Sequence, residues 1–195
     1  ALYRDANIPA IHGPVAGTFA GKQNMDENFT ALHDLLNGHA LKYPLEDVQI
    51  LTPGTASGRL IGGNLSLINA LYGTAYLPDL KGAILMIEDC GFELNALDRQ
   101  MMSFAQRGIF DDIAALIVGQ PDDIRDTGRP FGFTYEEIIE YNTQKYNFPV
   151  ILNAPFGHGV RNLAWPFGVQ AKLDADENHT ALCLDVPKWR KAGGA

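Results

Sequence analysis

A chain of 195 residues, 46% hydrophobic and 19% charged, holds enough apolar surface for a sizeable core and reads as one or two globular domains. Its formal net charge of -8 offers phosphate backbones and anionic lipid surfaces no general attraction, which argues against nucleic-acid and membrane partners and for a small-molecule or peptide ligand. Apolar runs such as Ile113 to Val118 fall far short of the roughly 20 residues of a bilayer span, and Cys90 and Cys183 make neither a disulfide framework nor a CxxC site, so reduced thiols, a cytoplasmic location and no metal or other cofactor are expected.

In chain order, Ala1-Leu2-Tyr3-Arg4 reads as the tail of a helix that starts upstream, and Ile8 to Ile11 as a short buried strand broken by Gly13-Pro14. Asn24-x-x-Glu27 resembles a capping box, after which Met25, Phe29, Leu32 and Leu36 recur at helical spacing up to Gly38. A domain boundary falls near residues 39 to 47, followed by a strand over Val48 to Leu51. The glycine-rich stretch from Gly54 to Asn64 then reads as a flexible loop around Ser57, with Gly62-Gly63 allowing a strand to pack tightly on a helix. A helix over Leu65 to Tyr72 has Asn64 as its N-cap and Gly73 as its terminator.

Next come a strand from Ile84 to Glu88 and a helix with Leu97, Met101 and Phe104 on one stripe before Gly108. A strand over Ala114 to Val118 leads into the polar loop Asp122 to Arg129 and a helix opened by the capping box Thr134-x-x-Glu137. Val150 to Leu152 is a further strand. Val169 to Leu173 and Thr180 to Val186 alternate apolar and polar residues about an Asp-Glu-Asn turn, as an antiparallel hairpin does. Alternating strands and helices predict a mostly parallel, layered α/β body.

Two polar groups stand where chemistry is usually placed. Glu88 ends the apolar run Ala83 to Ile87, and His158 lies in the turn Gly157-His158-Gly159 just after a strand. An acid and an imidazole at strand ends supply two thirds of a hydrolytic triad if they meet through a hydrogen bond. His12, before Gly13-Pro14, is a lesser candidate to line a pocket, whereas His33, His39 and His179 read as solvated. Ser57, Ser66 and Ser103 are the only serines, and none sits in a Gly-x-Ser-x-Gly elbow. Cys90 is the alternative nucleophile, paired with His158. No phosphate loop and no Gly-x-Gly-x-x-Gly fingerprint is present, so nucleotide binding has no support. Arg125 and Arg129 read as solvated loop arginines. The sequons at Asn28, Asn64 and Asn178 carry no weight.

Taken in order, Gly62-Gly63-Asn64-Leu65, Leu71-Tyr72-Gly73-Thr74, the strand Ile84 to Glu88, Asp98-Arg99 and Gly157-His158 resemble the LD-carboxypeptidase family of serine peptidases, which also includes the microcin C self-immunity peptidases. The resemblance implies a nucleophilic serine in an N-terminal α/β domain, with Glu88 as the triad acid and His158 as the general base. It divides the chain into residues 1–42, the last strand-loop-helix of the nucleophile domain with a linker, and residues 43–195, a layered C-terminal domain with a mixed sheet. The serine elbow and oxyanion amides of the family would then lie upstream of Ala1, and the isolated chain is expected to be catalytically incompetent.

The implied substrate is a murein tetrapeptide, cleaved at the amide to its terminal D-alanine during cell-wall recycling, and the implied assembly is a homodimer. The immunity peptidases instead cleave a peptidyl-nucleotide and carry an extra aromatic loop ahead of the acid. Here Pro14 to Gly62 is short and free of tryptophan, since Trp165 and Trp189 follow the histidine, which favours the murein substrate. A non-catalytic binding module is the reading left if the protein natively begins near Ala1.

Overall fold

The computed structural model describes residues 8–15, 25–39, 41–159, 161–176 and 179–186. The ladder begins with β1 (Ala10–His12), α1 (Met25–Leu36), β2 (Leu41–Pro44), β3 (Gln49–Thr52) and β4 (Gly54–Asn64). It continues through α2 (Leu65–Leu71), β5 (Ile84–Glu88), α3 (Leu94–Gln106), α4 (Ile109–Asp112) and β6 (Ala115–Gln120). The last elements are α5 (Tyr135–Thr143), β7 (Val150–Gly157), β8 (Trp165–Phe167), β9 (Gln170–Asp176) and β10 (His179–Asp185).

Eight strands form one mixed sheet in the order β2-β10-β9-β4-β5-β6-β7-β3, while β1 pairs antiparallel with β8 in a separate ribbon. Among the described strands, the central pairings β4–β5, β5–β6 and β6–β7 are the parallel ones. Both flanks are antiparallel, so the sheet is mixed and not mostly parallel: β3 turns back on β7, and the β9–β10 hairpin and β2 extend the other side.

The core lies on both faces of this sheet, which is why β5 and β6 open on unbroken apolar runs. Every residue of β5 is buried, and because successive side chains point to opposite faces, Ile84 and Met86 join one cluster and Leu85 and Ile87 the other. The second cluster receives Leu65 and Ile68 of α2, Leu97, Met101 and Phe104 of α3, and Ile138 and Ile139 of α5. The first is closed by Leu35 of α1, Tyr43 and Trp165, with Tyr43 donating to the Ala164 carbonyl at 2.6 Å.

The stretch expected to be a glycine loop is instead the longest strand of the sheet. An added Cβ on Gly58 would stand 2.0 Å from the Gly82 carbonyl oxygen, and one on Gly62 would stand 1.9 Å from that of Met86. Glycine here admits the neighbouring strand's backbone, so a residue type that usually signals a loop permits close strand approach. The tight packing expected at Gly62 therefore lies against β5, not against a helix. Leu41 to Pro44, within the expected domain boundary, and Trp165 to Phe167, for which the sequence offers no element, are also strands; both are short and recruited by pairing with β10 and β1.

Other expectations hold in detail. Asn64 caps α2, accepting from the Leu67 N–H at 3.1 Å, and Gly73 follows the helix at φ 77°. Thr134 and Glu137 form both bonds of a capping box at α5. In the hairpin, Leu173 pairs with Leu182 and the burial alternates along β9. The expected helix tail at 1–4, the cap at Asn24 and residues 177–178 of the hairpin turn lie outside the described residues.

Candidate active site

Parallel strands carry their C-terminal ends to one rim of a sheet, and that rim is where open α/β folds place their chemistry. Here β4, β5, β6 and β7 end at Asn64, Glu88, Gln120 and Gly157, with Asn64 registered against Glu88 and Gln120 against Gly157. The register of β7 slips twice along β6, and Asn153 takes a left-handed φ of 63° within the first slip. These irregularities lengthen β7 relative to its neighbour and set the turn that follows at the rim.

The Glu88 side chain is 1% exposed, and its Oε2 lies 2.6 Å from Nδ1 of His158, whose side chain is 46% exposed. An ionised carboxylate only accepts, so Nδ1 carries the proton and donates it. In the neutral imidazole the remaining nitrogen, Nε2, then keeps a lone pair that can take a proton. Burial of the acid strengthens its grip on the imidazole, whose own ring stays accessible from outside.

Two glycines make room for this pair. A Cβ on Gly119 would stand 3.1 Å from the Glu88 Cβ, and one on Gly157 would stand 3.0 Å from the same atom and 3.3 Å from Oε2. Gly157 also has φ 108°, a conformation that L side chains rarely adopt. On strands β6 and β7 the room for the acid is thus made by glycine backbone.

His12 belongs to the same neighbourhood. Its ring stands edge-on to Phe156 and Phe167 at centroid distances of 6.3 and 5.8 Å. Burial holds this imidazole below its ordinary pKa, opposed by the negative charge of Glu88 and reinforced by His158. His33 and His39 lie on the surface beside Asp34, and His179 is exposed at the start of β10.

Among the described residues no serine bonds to His158. Ser66 is at the start of α2, where its Oγ donates to Asp89 at 2.5 Å; Ser57 is exposed on β4; Ser103 is within α3. Cys90 is no activated thiol, since burial raises its pKa first and the charges of Glu88, Asp89, Asp122 and Asp123 raise it further.

Asp89, beside Glu88, is a structural hub. It accepts from Asn64 Nδ2 at 2.8 Å, from the Ser66 N–H at 3.1 Å and from the Cys90 N–H at 2.9 Å. The loop after β6 is pinned to the one after β5: the Gly91 N–H donates to the Asp122 carbonyl and the Leu94 N–H to that of Arg125. Arg125 is held by the Gly91 carbonyl and Asp123, whereas Arg129 is exposed. No helix among the described residues is long and apolar enough to cross a membrane.

Residues 57–173 match the family described as LD-carboxypeptidase C-terminal domain. A protein of Synechocystis sp. named as a carboxypeptidase is 32% identical over 88% of this chain and 56% of its own length. The murein tetrapeptide carboxypeptidase of Pseudomonas aeruginosa is 28% identical over 87% of this chain and 57% of its own. The chain therefore spans about half the length of these relatives. Among solved structures, the microcin C7 self immunity protein MccF superposes with a TM-score of 0.83 at 19% identity, over 94% of this chain and 62% of that one. Muramoyltetrapeptide carboxypeptidase from Oxalobacter formigenes gives 0.78 at 21% identity, over 92% and 62%. These two likenesses establish the fold.

Proposed function

The chain belongs to the LD-carboxypeptidase family, matching its C-terminal domain over residues 57–173, and on that premise we propose that it carries the acid and the base of a serine-type peptidase acting on murein tetrapeptides. The observation that carries the proposal is the 2.6 Å contact between Glu88 and His158, which leaves Nε2 of a half-exposed imidazole as a proton acceptor. Glu88 holds the imidazole in this tautomer and stabilises the imidazolium. The nucleophile is a serine outside this chain, in the part of the relatives' length that it does not span.

In the reaction the serine oxygen attacks the carbonyl carbon of the L,D-amide while His158 Nε2 takes the hydroxyl proton. The tetrahedral intermediate collapses, the same proton passes to the leaving nitrogen of D-alanine, and an acyl-enzyme remains. Water, deprotonated by His158, then releases the peptide acid and restores the serine.

We assign residues 43–195 to the C-terminal domain and residues 1–42 to the end of the domain before it. A cytoplasmic homodimer completes the proposal. The test offers a murein tetrapeptide and a peptidyl-nucleotide conjugate to the complete polypeptide and follows products by liquid chromatography. Release of D-alanine is expected, and Glu88→Gln or His158→Gln should lower kcat by roughly 10³- to 10⁴-fold. Cleavage of the conjugate alone would replace the substrate assignment, and full activity in both variants would remove the two residues from the mechanism.

A further inference from the structure

His158 is flanked by Gly157 and Gly159, so the turn that carries it has little rigidity of its own. A contact as short as that with Glu88 needs the turn restrained from elsewhere. Besides the pairing of Gly157 with Gln120, a restraint comes from α1, far away in sequence. The Gly157 N–H donates to Asn162 Oδ1 at 3.3 Å, and the Asn162 N–H donates in turn to Asn28 Oδ1 at 3.0 Å. Both amides are buried, Asn28 at 2% and Asn162 at 8% exposure. Since backbone N–H groups are the donors, the acceptor atoms must be the amide oxygens, which sets the orientation of both side chains.

The Leu163 N–H closes the turn on the Pro155 carbonyl at 2.9 Å. Beside this relay, Arg161 forks onto Glu27 through Nε at 3.2 Å and Nη2 at 2.6 Å. Two neighbouring residues of α1 thus grip two neighbouring residues after β7. Burying an amide is unfavourable unless it is bonded, and an apolar side chain at either position would fill space without holding backbone. The arrangement makes sense where backbone placement is what matters.

We propose that Asn162 and Asn28 are positioning residues for His158: the amide relay from α1 through Asn162 to the Gly157 N–H sets where the imidazole meets Glu88. The consequence for turnover rests on the peptidase reading above; the consequence for the Glu88–His158 contact does not. A relay of this kind ties the base to the orientation of α1, so that movement of that helix is felt at the imidazole.

The test uses the complete protein bearing Asn162→Ala or Asn28→Ala, each compared with the matching Asn→Asp, which keeps an acceptor oxygen in place. Two quantities are read: kcat and KM on the tetrapeptide, and the downfield proton resonance of the His158 Nδ1–H, identified by its loss in His158→Gln. In the alanine variants kcat should fall between about ten- and a hundredfold with KM within about twofold, the penalty for a small misplacement of a reacting group. The resonance should broaden or vanish, and the aspartate variants should recover both signals. Folded alanine variants with the native resonance would overturn the proposal, whether or not the protein turns over the peptide. Should the alanine variants fail to fold, Asn162→Asp and Asn162→Ser decide: a sharp resonance in the first and a lost one in the second supports the relay, and identical spectra overturn it.

Discussion

A carboxylate as deeply buried as Glu88 persists because one strong partner meets it, and the partner's own exposure leaves it free to react. The surrounding residues are chosen for what they omit. Gly157→Ala would bring a methyl group within 3.0 Å of the Glu88 Cβ at a φ of 108°, so it should destabilise the protein by about 1–3 kcal/mol, read from denaturant midpoints. An unchanged midpoint would mean that the backbone yields without resistance. His12 supplies a pH signature. Its folded pKa is depressed by burial, so the unfolded chain takes up its proton at higher pH than the native protein does. The stability it contributes is complete above about pH 6.5 and is lost as pH falls through the lower folded value. His12→Phe keeps a ring against Phe156 and Phe167 and removes the titration, so the fall in Tm below pH 6.5 should become shallower. Parallel acid limbs in the two proteins would sink this assignment. The amides of the sequons at Asn28 and Asn64 both have structural work, one buried in the relay and the other capping α2.

Helix ends were the elements most legible in the sequence because they are decided by neighbours three or four residues away. The caps at Asn64 and at Thr134 with Glu137 need nothing distant to form. Thr134→Ala should cost about 1 kcal/mol of stability, read from the shift in denaturant midpoint. Asp89→Ala should do more than shorten a helix: it releases Asn64, the Ser66 and Cys90 N–H groups together, and a loss of about 1–3 kcal/mol is expected in thermal unfolding. β4 was illegible for the opposite reason. Its glycines answer to the carbonyls of Gly82 and Met86, which belong to another strand region some twenty residues on, and composition alone marks such a stretch as a loop. Gly62→Ala, whose Cβ would collide with the Met86 oxygen at 1.9 Å, is accordingly expected to unzip β4 from β5 and to be the most damaging of these substitutions in a urea titration.

Across the molecule, three parallel pairings in the middle of a mixed sheet bring Asn64, Glu88, Gln120 and Gly157 to one rim, and the ribbon of β1 with β8 adds His12 to the same neighbourhood. Chain order and residue type were enough to mark β5, β6 and the start of β7, most helices, the closing hairpin and the two groups of the candidate site, because hydrophobic period, capping chemistry and a lone acid at the end of an apolar run are short-range properties. Whether Glu88 and His158 touch, which of them is buried, that Asn28 reaches the turn beside the imidazole, and that a glycine run is a strand depend on pairings between segments remote along the chain. Those pairings come from packing the two faces of one sheet, a balance struck by many weak contacts at once and carried by no single stretch of residues.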